Sequence, residues 1–130
     1  DERLVELYDE AELAVVPSLY EGFSLPAIEA MCTGTPLVAT DGGALPEVTG
    51  TDGETVFRCR KGDAGALASI IRTALANPEA RARVGAAGRE RVLERWTWRR
   101  CAQLTVEQYR EVLTMPQNIA KLCTNGRLDA

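Results

Sequence analysis

One stretch of the sequence decides the fold, and it reads Pro17-Ser18-Leu19-Tyr20-Glu21-Gly22-Phe23-Ser24-Leu25-Pro26-Ala27-Ile28-Glu29-Ala30. The short apolar run just before it, at residues 13–16, predicts a buried parallel strand that ends at Pro17. Proline suits the first turn of a helix and disfavours helical geometry at the residue before it, so we expect a helix from Pro26 with Leu25 as its N-cap. This junction would lie at the carboxyl edge of a parallel sheet, where ligands bind in such folds.

The sequence on either side continues the alternation of strands and helices. On the helix that starts at Pro26, we expect Ile28, Met31 and Cys32 to share the buried face before Gly34 ends the helix. We also expect strands at residues 36–40 and 55–59, and helices at residues 3–9, near 45–48, after the capping residues Asp63 and Thr97, and from Asn77-Pro78.

This alternation decides the fold class. Strands that alternate with helices need crossover connections, which produce a parallel sheet covered by helices. Only about three strands are visible, whereas a complete doubly wound sheet has about five or six. We therefore predict an α/β fold with a partial Rossmann-like parallel sheet flanked by helices, in a domain over residues 1–114 and a tail over 115–130. Because the sequence starts with Asp1 inside a predicted helix, we expect a truncated chain.

Composition narrows the classes of function. The chain has 130 residues and a formal net charge of -4, which argues against nonspecific binding to nucleic acid. Arginines gather at residues 81–100, but glutamates are mixed among them, and this pattern favours a solvated helix face. No apolar run reaches the roughly 20 residues of a membrane span, and nothing resembles a signal peptide. We expect a cytoplasmic protein.

The cysteines and the missing histidine exclude several kinds of site. No C-x-x-C pair exists, and the chain has no histidine, so neither a mixed zinc site nor a catalytic site with a histidine base is expected. We predict free, mostly buried thiols at Cys32, Cys59, Cys101 and Cys123.

The junction itself has the chemistry of a phosphate site. The first N–H groups of a helix have no intrahelical partners and lie at the positive end of the helix dipole, which suits a diphosphate. Glu21 in the loop and Glu29 one turn into the helix would frame that cradle. A carboxylate accepts hydrogen bonds from hydroxyl groups, so the pair fits a ligand with hydroxyls on both sides of a diphosphate, such as a nucleoside diphosphate sugar.

Each of these residues also has a purely structural interpretation. A single glutamate at a helix start is most often a charge that complements the dipole, Gly22 alone is a turn residue, and Phe23 alone is most often a core residue. The segment at residues 41–43 either lines the same cleft or is a structural turn, and the turn is the favoured interpretation. Only the combination is specific.

Taken together, residues 21–30 resemble the E-x7-E motif of glycosyltransferase family 4, a group of retaining enzymes with the GT-B fold. The segments at residues 14–18, 34–39, 43–48 and 62–63 also fall where that family has similar ones. The resemblance covers about residues 5–112 and implies that the chain is the carboxyl-terminal, donor-binding part of a glycosyltransferase.

The resemblance also implies roles for individual residues. Glu21, the catalytic candidate, would accept hydrogen bonds from the donor sugar, and Glu29 would accept them from the ribose. The backbone at Gly22, Phe23, Ser24 and Leu25 would hold the sugar and the diphosphate. Ser24 departs from the family, because many members have glycine there. No cofactor or metal is expected, and the nucleotide diphosphate sugar is a substrate.

The family mechanism is front-face displacement, in which the leaving diphosphate helps to deprotonate the acceptor. The basic clamp on the diphosphate and the acceptor site would lie in the missing amino-terminal domain, so we expect the isolated fragment to be inactive. The alternatives are an isolated nucleotide-sugar-binding module without catalysis, and a GT-B relative such as an epimerase or a phosphorylase, which the match at residues 21–23 disfavours.

Three further expectations concern partners. An incomplete sheet exposes an unpaired edge, so we expect self-association there. The full-length protein would contact the inner face of the membrane peripherally. The face of the last helix that bears Trp98 and Tyr109 would either meet the missing domain or pack on this one, and the sequence leaves both open.

Overall fold

The computed structural model describes residues 2–114, which divide into two compact units between Trp96 and Thr97. The first unit contains the sheet, and the second contains the last helix. The elements are α1 (Glu2–Glu10), β1 (Ala14–Val16), α2 (Leu25–Thr33), β2 (Leu37–Thr40), α3 (Leu45–Thr49), β3 (Phe57–Cys59), α4 (Ala64–Leu75), α5 (Pro78–Arg95) and α6 (Trp98–Thr114). The predicted tail at 115–130 lies outside the described residues, so its boundary stays a prediction.

The three strands form a parallel sheet in the order β1-β2-β3, which confirms the predicted α/β class. Val15 pairs with Val38, and Ala39 pairs with Arg58. Every residue of β2 is buried, as expected for a central strand covered on both faces. Within residues 2–114, β1 pairs with β2 alone, and self-association at its outer edge stays a prediction.

The third strand is shorter than predicted. It begins at Phe57 rather than at residue 55, because the Thr55 hydroxyl donates to the carbonyl oxygen of Thr49 at 2.6 Å and keeps this residue in the preceding turn. The predicted caps Asp63 and Thr97 are confirmed, the latter because the Thr97 hydroxyl oxygen accepts from the N–H of Arg100 at 3.2 Å, and Asn77 is a cap as well. The Asp63 carboxylate accepts from the N–H of Ala66 at 2.8 Å, and the Asn77 side chain accepts from Ala80 at 3.0 Å.

The core lies between the sheet and the helices α2 and α5. Met31, Leu37, Val56 and Val92 belong to one buried apolar cluster. Helix α5 approaches the end of α2 so closely that a side chain at Gly85 would overlap the carbonyl oxygen of Gly34. This close approach fixes the end of α2 against α5.

The buried face of α2 agrees with the prediction at Met31, partly at Ile28 and not at Cys32. Its buried residues are Ala27, Ala30 and Met31, whereas Ile28 is half-buried and Cys32 is exposed. The small alanines face the sheet and α5, where there is little space, and the larger Ile28 lies at the margin. The predicted end at Gly34 is confirmed by its left-handed φ of 86° and by its N–H, which donates to the carbonyl of Met31 at 3.0 Å.

The prediction of mostly buried thiols was wrong for two of the three cysteines that the structure describes. Cys59 is buried, but Cys32 and Cys101 are exposed, and all three are free. Cys32 lies on the solvent side of α2, and Cys101 belongs to α6, which buries no residue. Cys123 lies outside the described residues. No helix within residues 2–114 is long and apolar enough to span a membrane.

The start of α2 also differs from the prediction, because Ser24 and not Leu25 is the N-cap. Ser24 has φ 71° and ψ 78°, and its carbonyl oxygen accepts the first helical hydrogen bond, from Ile28 at 3.3 Å. The chain therefore turns one residue earlier, and Leu25 is already helical. The Ser24 hydroxyl is buried and has no hydrogen-bond partner among the described residues.

We predict that Ser24→Gly raises the free energy of unfolding by about 1 kcal/mol, since glycine tolerates the left-handed region and removes an unpaired buried hydroxyl. The matched variant Ser24→Ala removes only the hydroxyl and should stabilise the chain less. Urea unfolding of the three proteins measures the difference. A glycine variant less stable than the alanine variant would contradict the assignment of strain.

Candidate active site

The start of α2 presents a row of free backbone donors at the carboxyl edge of the sheet. Among residues 2–114, no acceptor receives a backbone hydrogen bond from Gly22, Phe23, Ser24, Leu25 or Ala27. The positive end of the helix dipole coincides with these N–H groups. Free N–H groups at a helix start can bind an anion, and the diphosphate cradle expected here stays a prediction.

Glu21 is held beside these donors by its neighbours. It is half-buried, and the hydroxyl of Ser18 donates to its Oε1 at 2.7 Å. The carbonyl oxygen of Ser18 in turn accepts a hydrogen bond from the Thr40 hydroxyl at the end of β2. One carboxylate oxygen of Glu21 is thereby engaged, and the other has no hydrogen-bond partner among the described residues.

The turn at residues 41–43 supports the same loop through backbone contact. The Ala44 N–H donates to the carbonyl oxygen of Glu21 at 2.8 Å. A Cβ added at Gly42 would lie 2.7 Å from the carbonyl oxygen of Ser18, and one added at Gly43 would overlap that of Glu21. Both glycines are therefore needed for space, and the favoured interpretation of this segment as a structural turn agrees with the contacts.

Glu29 is exposed on α2, one turn after its start. The Tyr8 hydroxyl lies 3.5 Å from Glu29 Oε2 and 3.4 Å from the carbonyl oxygen of Pro26, long hydrogen bonds that join α1 to α2. Burial raises the pKa of Tyr8, and the negative charge of Glu29 raises it further. Glu21 and Glu29 therefore have separate supports.

Phe23 lies between the carboxylates in sequence, and its ring contacts a residue that sequence reasoning missed. The ring packs edge-on against Trp96 at the end of α5, with ring centroids 5.1 Å apart and an interplanar angle of 79°. Phe23 is 41% exposed, so its side chain is not a core residue, although one edge of it contacts Trp96. No local pattern at residue 96 points to this contact, because it joins distant parts of the chain.

Two cavities lie next to the loop, at the carboxyl ends of the strands. An open one of about 390 Å³ is lined by residues 60–64, at the start of α4. A smaller one of about 170 Å³ is shared by this segment and by Pro17, Leu19 and Thr40. Neither is lined by Glu21 or Glu29. Among the residues that the structure describes, no group of three or more acidic or cysteine side chains is placed to hold a metal ion.

Residues 1–91 match the family described as "Glycosyl transferases group 1". The chain belongs to this family. A similar glycosyltransferase is the MMP alpha-(1->4)-mannosyltransferase of Mycolicibacterium hassiacum, which is 45% identical over 113 residues that make up 87% of this chain and 28% of that protein. The chain therefore spans little more than a quarter of the length of this relative.

Two solved structures share the fold. The sucrose-phosphate synthase of Thermosynechococcus elongatus superposes with a TM-score of 0.79 at 39% identity, over 87% of this chain and 28% of that one. Anabaena Alr3699/HepE, solved in complex with UDP, has a TM-score of 0.76 at 24% identity, over 82% and 29%, and shows the likeness of fold alone. The expected GT-B class is thereby confirmed.

We predict that Gly43→Ala destabilises the chain by about 1–3 kcal/mol more than Gly53→Ala does. Both glycines have positive φ, 62° and 74°, but a Cβ at Gly53 meets nothing within 4 Å, whereas one at Gly43 overlaps Glu21. The pair separates steric contact from backbone strain. Thermal unfolding measures it, and equal losses would show that the turn does not support the Glu21 loop.

We predict that Glu29→Gln lowers the pKa of Tyr8, because it removes the second cause of the upward shift. Since the pKa of Tyr8 is raised in the folded chain, its contribution to stability is present below the unfolded value of about 10 and is lost as pH rises through the folded value. The absorbance of the phenolate form follows the titration of the tyrosines. The Tyr8→Phe variant shows which part of that absorbance change comes from Tyr8. An unchanged pKa of Tyr8 in Glu29→Gln would mean that Glu29 does not face Tyr8.

Proposed function

We propose that the chain is the donor-binding part of a retaining glycosyltransferase of family 4, which transfers a sugar from a nucleoside diphosphate sugar to an acceptor. One observation carries the proposal: free N–H groups at the start of α2 lie in the chain between a supported Glu21 and Glu29. Anion donors flanked by hydroxyl acceptors match the layout of such a donor substrate.

In this proposal the diphosphate lies at the start of α2. The N–H groups of Phe23, Ser24 and Leu25 donate to phosphate oxygens, and the helix dipole stabilises the negative charge that grows there as the sugar leaves. Gly22 has no side chain, so its backbone can approach the sugar closely. The space beside it is open, because a Cβ there would meet no other atom within 4 Å. No cofactor takes part, since the diphosphate is the leaving group of the substrate itself.

Glu21 and Glu29 orient the two ends of the donor. Ser18 engages one oxygen of Glu21, so the other oxygen accepts from the sugar hydroxyls. Glu29 accepts from the ribose, and Tyr8 holds its carboxylate. In a front-face displacement, the bond from the anomeric carbon to the diphosphate breaks as the acceptor oxygen attacks the same face, and a diphosphate oxygen takes the acceptor proton. The chain contributes positioning and charge stabilisation and no nucleophile.

The relatives support this chemistry without fixing the substrate. The printed names of the most similar proteins include a mannosyltransferase and a sucrose-phosphate synthase, and one solved relative contains UDP. Their different products agree with a cradle that recognises features shared by many donors. We propose that the acceptor and the basic clamp on the diphosphate belong to an amino-terminal domain, that nucleic acid is no partner, and that the protein works in the cytoplasm at the inner face of the membrane.

The second candidate is a nucleotide-sugar-binding module without catalysis. It is favoured by one feature: both carboxylates and the free donors lie within residues 21–29, so the proposed binding groups need no other segment of the chain. A transfer assay of the full-length protein discriminates between the two functions. Loss of transfer with Glu21→Ala would support the enzyme, and absence of transfer in the parent protein would support the module.

We predict that calorimetric titration of the chain with UDP, GDP and ADP and their sugar conjugates finds one base that binds. Glu29→Ala should weaken binding about tenfold to hundredfold, because it removes charged hydrogen bonds to the ribose. Glu21→Ala should spare the bare diphosphate and weaken only the conjugate. Exposed Glu54, for which the structure records no side-chain contact, gives the control variant Glu54→Ala. Absence of binding at millimolar nucleotide would contradict the proposal.

A further inference from the structure

The loop that carries the free donors has few restraints of its own. Hydrogen bonds hold its beginning at Glu21, and the next backbone bond along the chain is the one from Ile28 to Ser24. Between them, within the described part of the chain, the N–H groups of residues 22–25 have no partners, and Ser24 has an unfavourable φ of 71°. Donors that bind an anion without reorganisation must be held in place by something else.

Phe23, within this loop, contacts Trp96. Trp96 is anchored in two ways. Its backbone N–H donates to the carbonyl oxygen of Val92 at 2.8 Å, and its indole ring packs against the main apolar cluster. Phe23 is not anchored by burial, since it is 41% exposed. The support therefore runs from the end of α5 to the loop, through an edge-on ring contact of 5.1 Å.

We propose that Trp96 is a positioning residue for donor binding: its indole fixes the Phe23 ring and thereby the direction of the backbone donors at residues 22–25. This inference rests on the proposed function of the loop, but the rigidity it assigns to the loop exists without any ligand. Trp96 itself contacts no substrate.

The indole nitrogen shows which property of Trp96 matters. Trp96 Nε1 is buried and has no hydrogen-bond partner among residues 2–114, so the side chain acts here through its ring and not through its N–H. Trp96→Phe keeps an aromatic ring and removes an unpaired donor, whereas Trp96→Leu keeps the apolar character and removes the ring. The two variants separate the aromatic contact from simple burial.

The first experiment measures backbone ¹⁵N order parameters of the 130-residue chain without ligand. In the parent and in Trp96→Phe, we expect the amides of Phe23, Ser24 and Leu25 to have values near about 0.85, typical of rigid backbone. In Trp96→Leu they should fall toward about 0.6. Trp98 is 91% exposed and gives the matched control, because Trp98→Leu should leave these amides unchanged.

The second experiment measures affinity for the nucleotide and sugar conjugate that bind the parent chain. Trp96→Leu should weaken binding roughly threefold to tenfold, in line with the worth of an aromatic pair, and Trp98→Leu should not. A double-mutant cycle with Phe23→Leu should show that the two losses are not additive, since both variants remove the same contact.

Each outcome decides the inference. Unchanged loop order in a folded Trp96→Leu chain, or an equal fall in Trp98→Leu, would overturn it. If Trp96→Leu fails to fold, Phe23→Leu tests the contact from the loop side, and an unchanged order of residues 24 and 25 would overturn it equally. If no nucleotide binds the parent chain, the proposed function fails, while the order parameters still decide whether Trp96 holds the loop.

Discussion

The burial of the central strand β2 is the constraint on which the rest of the structure depends. All four of its residues are buried, and parallel neighbours bond to both of its edges. Parallel strands bring their carboxyl ends to the same edge, so the loops after β1, β2 and β3 meet there. Thr40 ends β2, and its hydroxyl donates to the carbonyl oxygen of Ser18. The glycine turn that follows packs closely against the backbone of Glu21. The candidate site is therefore supported by the most deeply buried strand of the sheet.

The site combines features that are individually unfavourable for stability. Unpaired N–H groups, a serine in the left-handed region and a buried hydroxyl without a partner all lie within one turn of the start of α2. Such features persist where the surrounding structure overdetermines them, and they gather at binding and catalytic sites. Here the contacts that hold the loop are those with the glycine turn, at Glu21, and the contact of Phe23 with Trp96. A diphosphate would satisfy the free donors.

Membership of the glycosyl transferases group 1 family and the free donors at α2 point to the same chemistry from different directions. The family match is independent of where individual atoms lie, whereas the donors and the carboxylate supports are read from geometry. The relatives are almost four times as long as the matched part, since the chain covers 28% of the mannosyltransferase and of the sucrose-phosphate synthase. The proposed donor cradle is one local feature of a chain that spans only part of these relatives.

The sequence by itself determined the order of the elements, the parallel sheet, most helix ends and the position of Glu21 and Glu29 around a helix start, because hydrophobic periods, prolines, glycines and capping side chains are local features. Tertiary structure alone decided that Ala27 and Ala30 share the buried face of α2 with Met31, while Cys32 is exposed. It also moved the N-cap to Ser24 and brought Trp96 to Phe23 and Tyr8 to Glu29. These contacts join residues far apart in the chain, and no local pattern encodes the closeness of two distant segments.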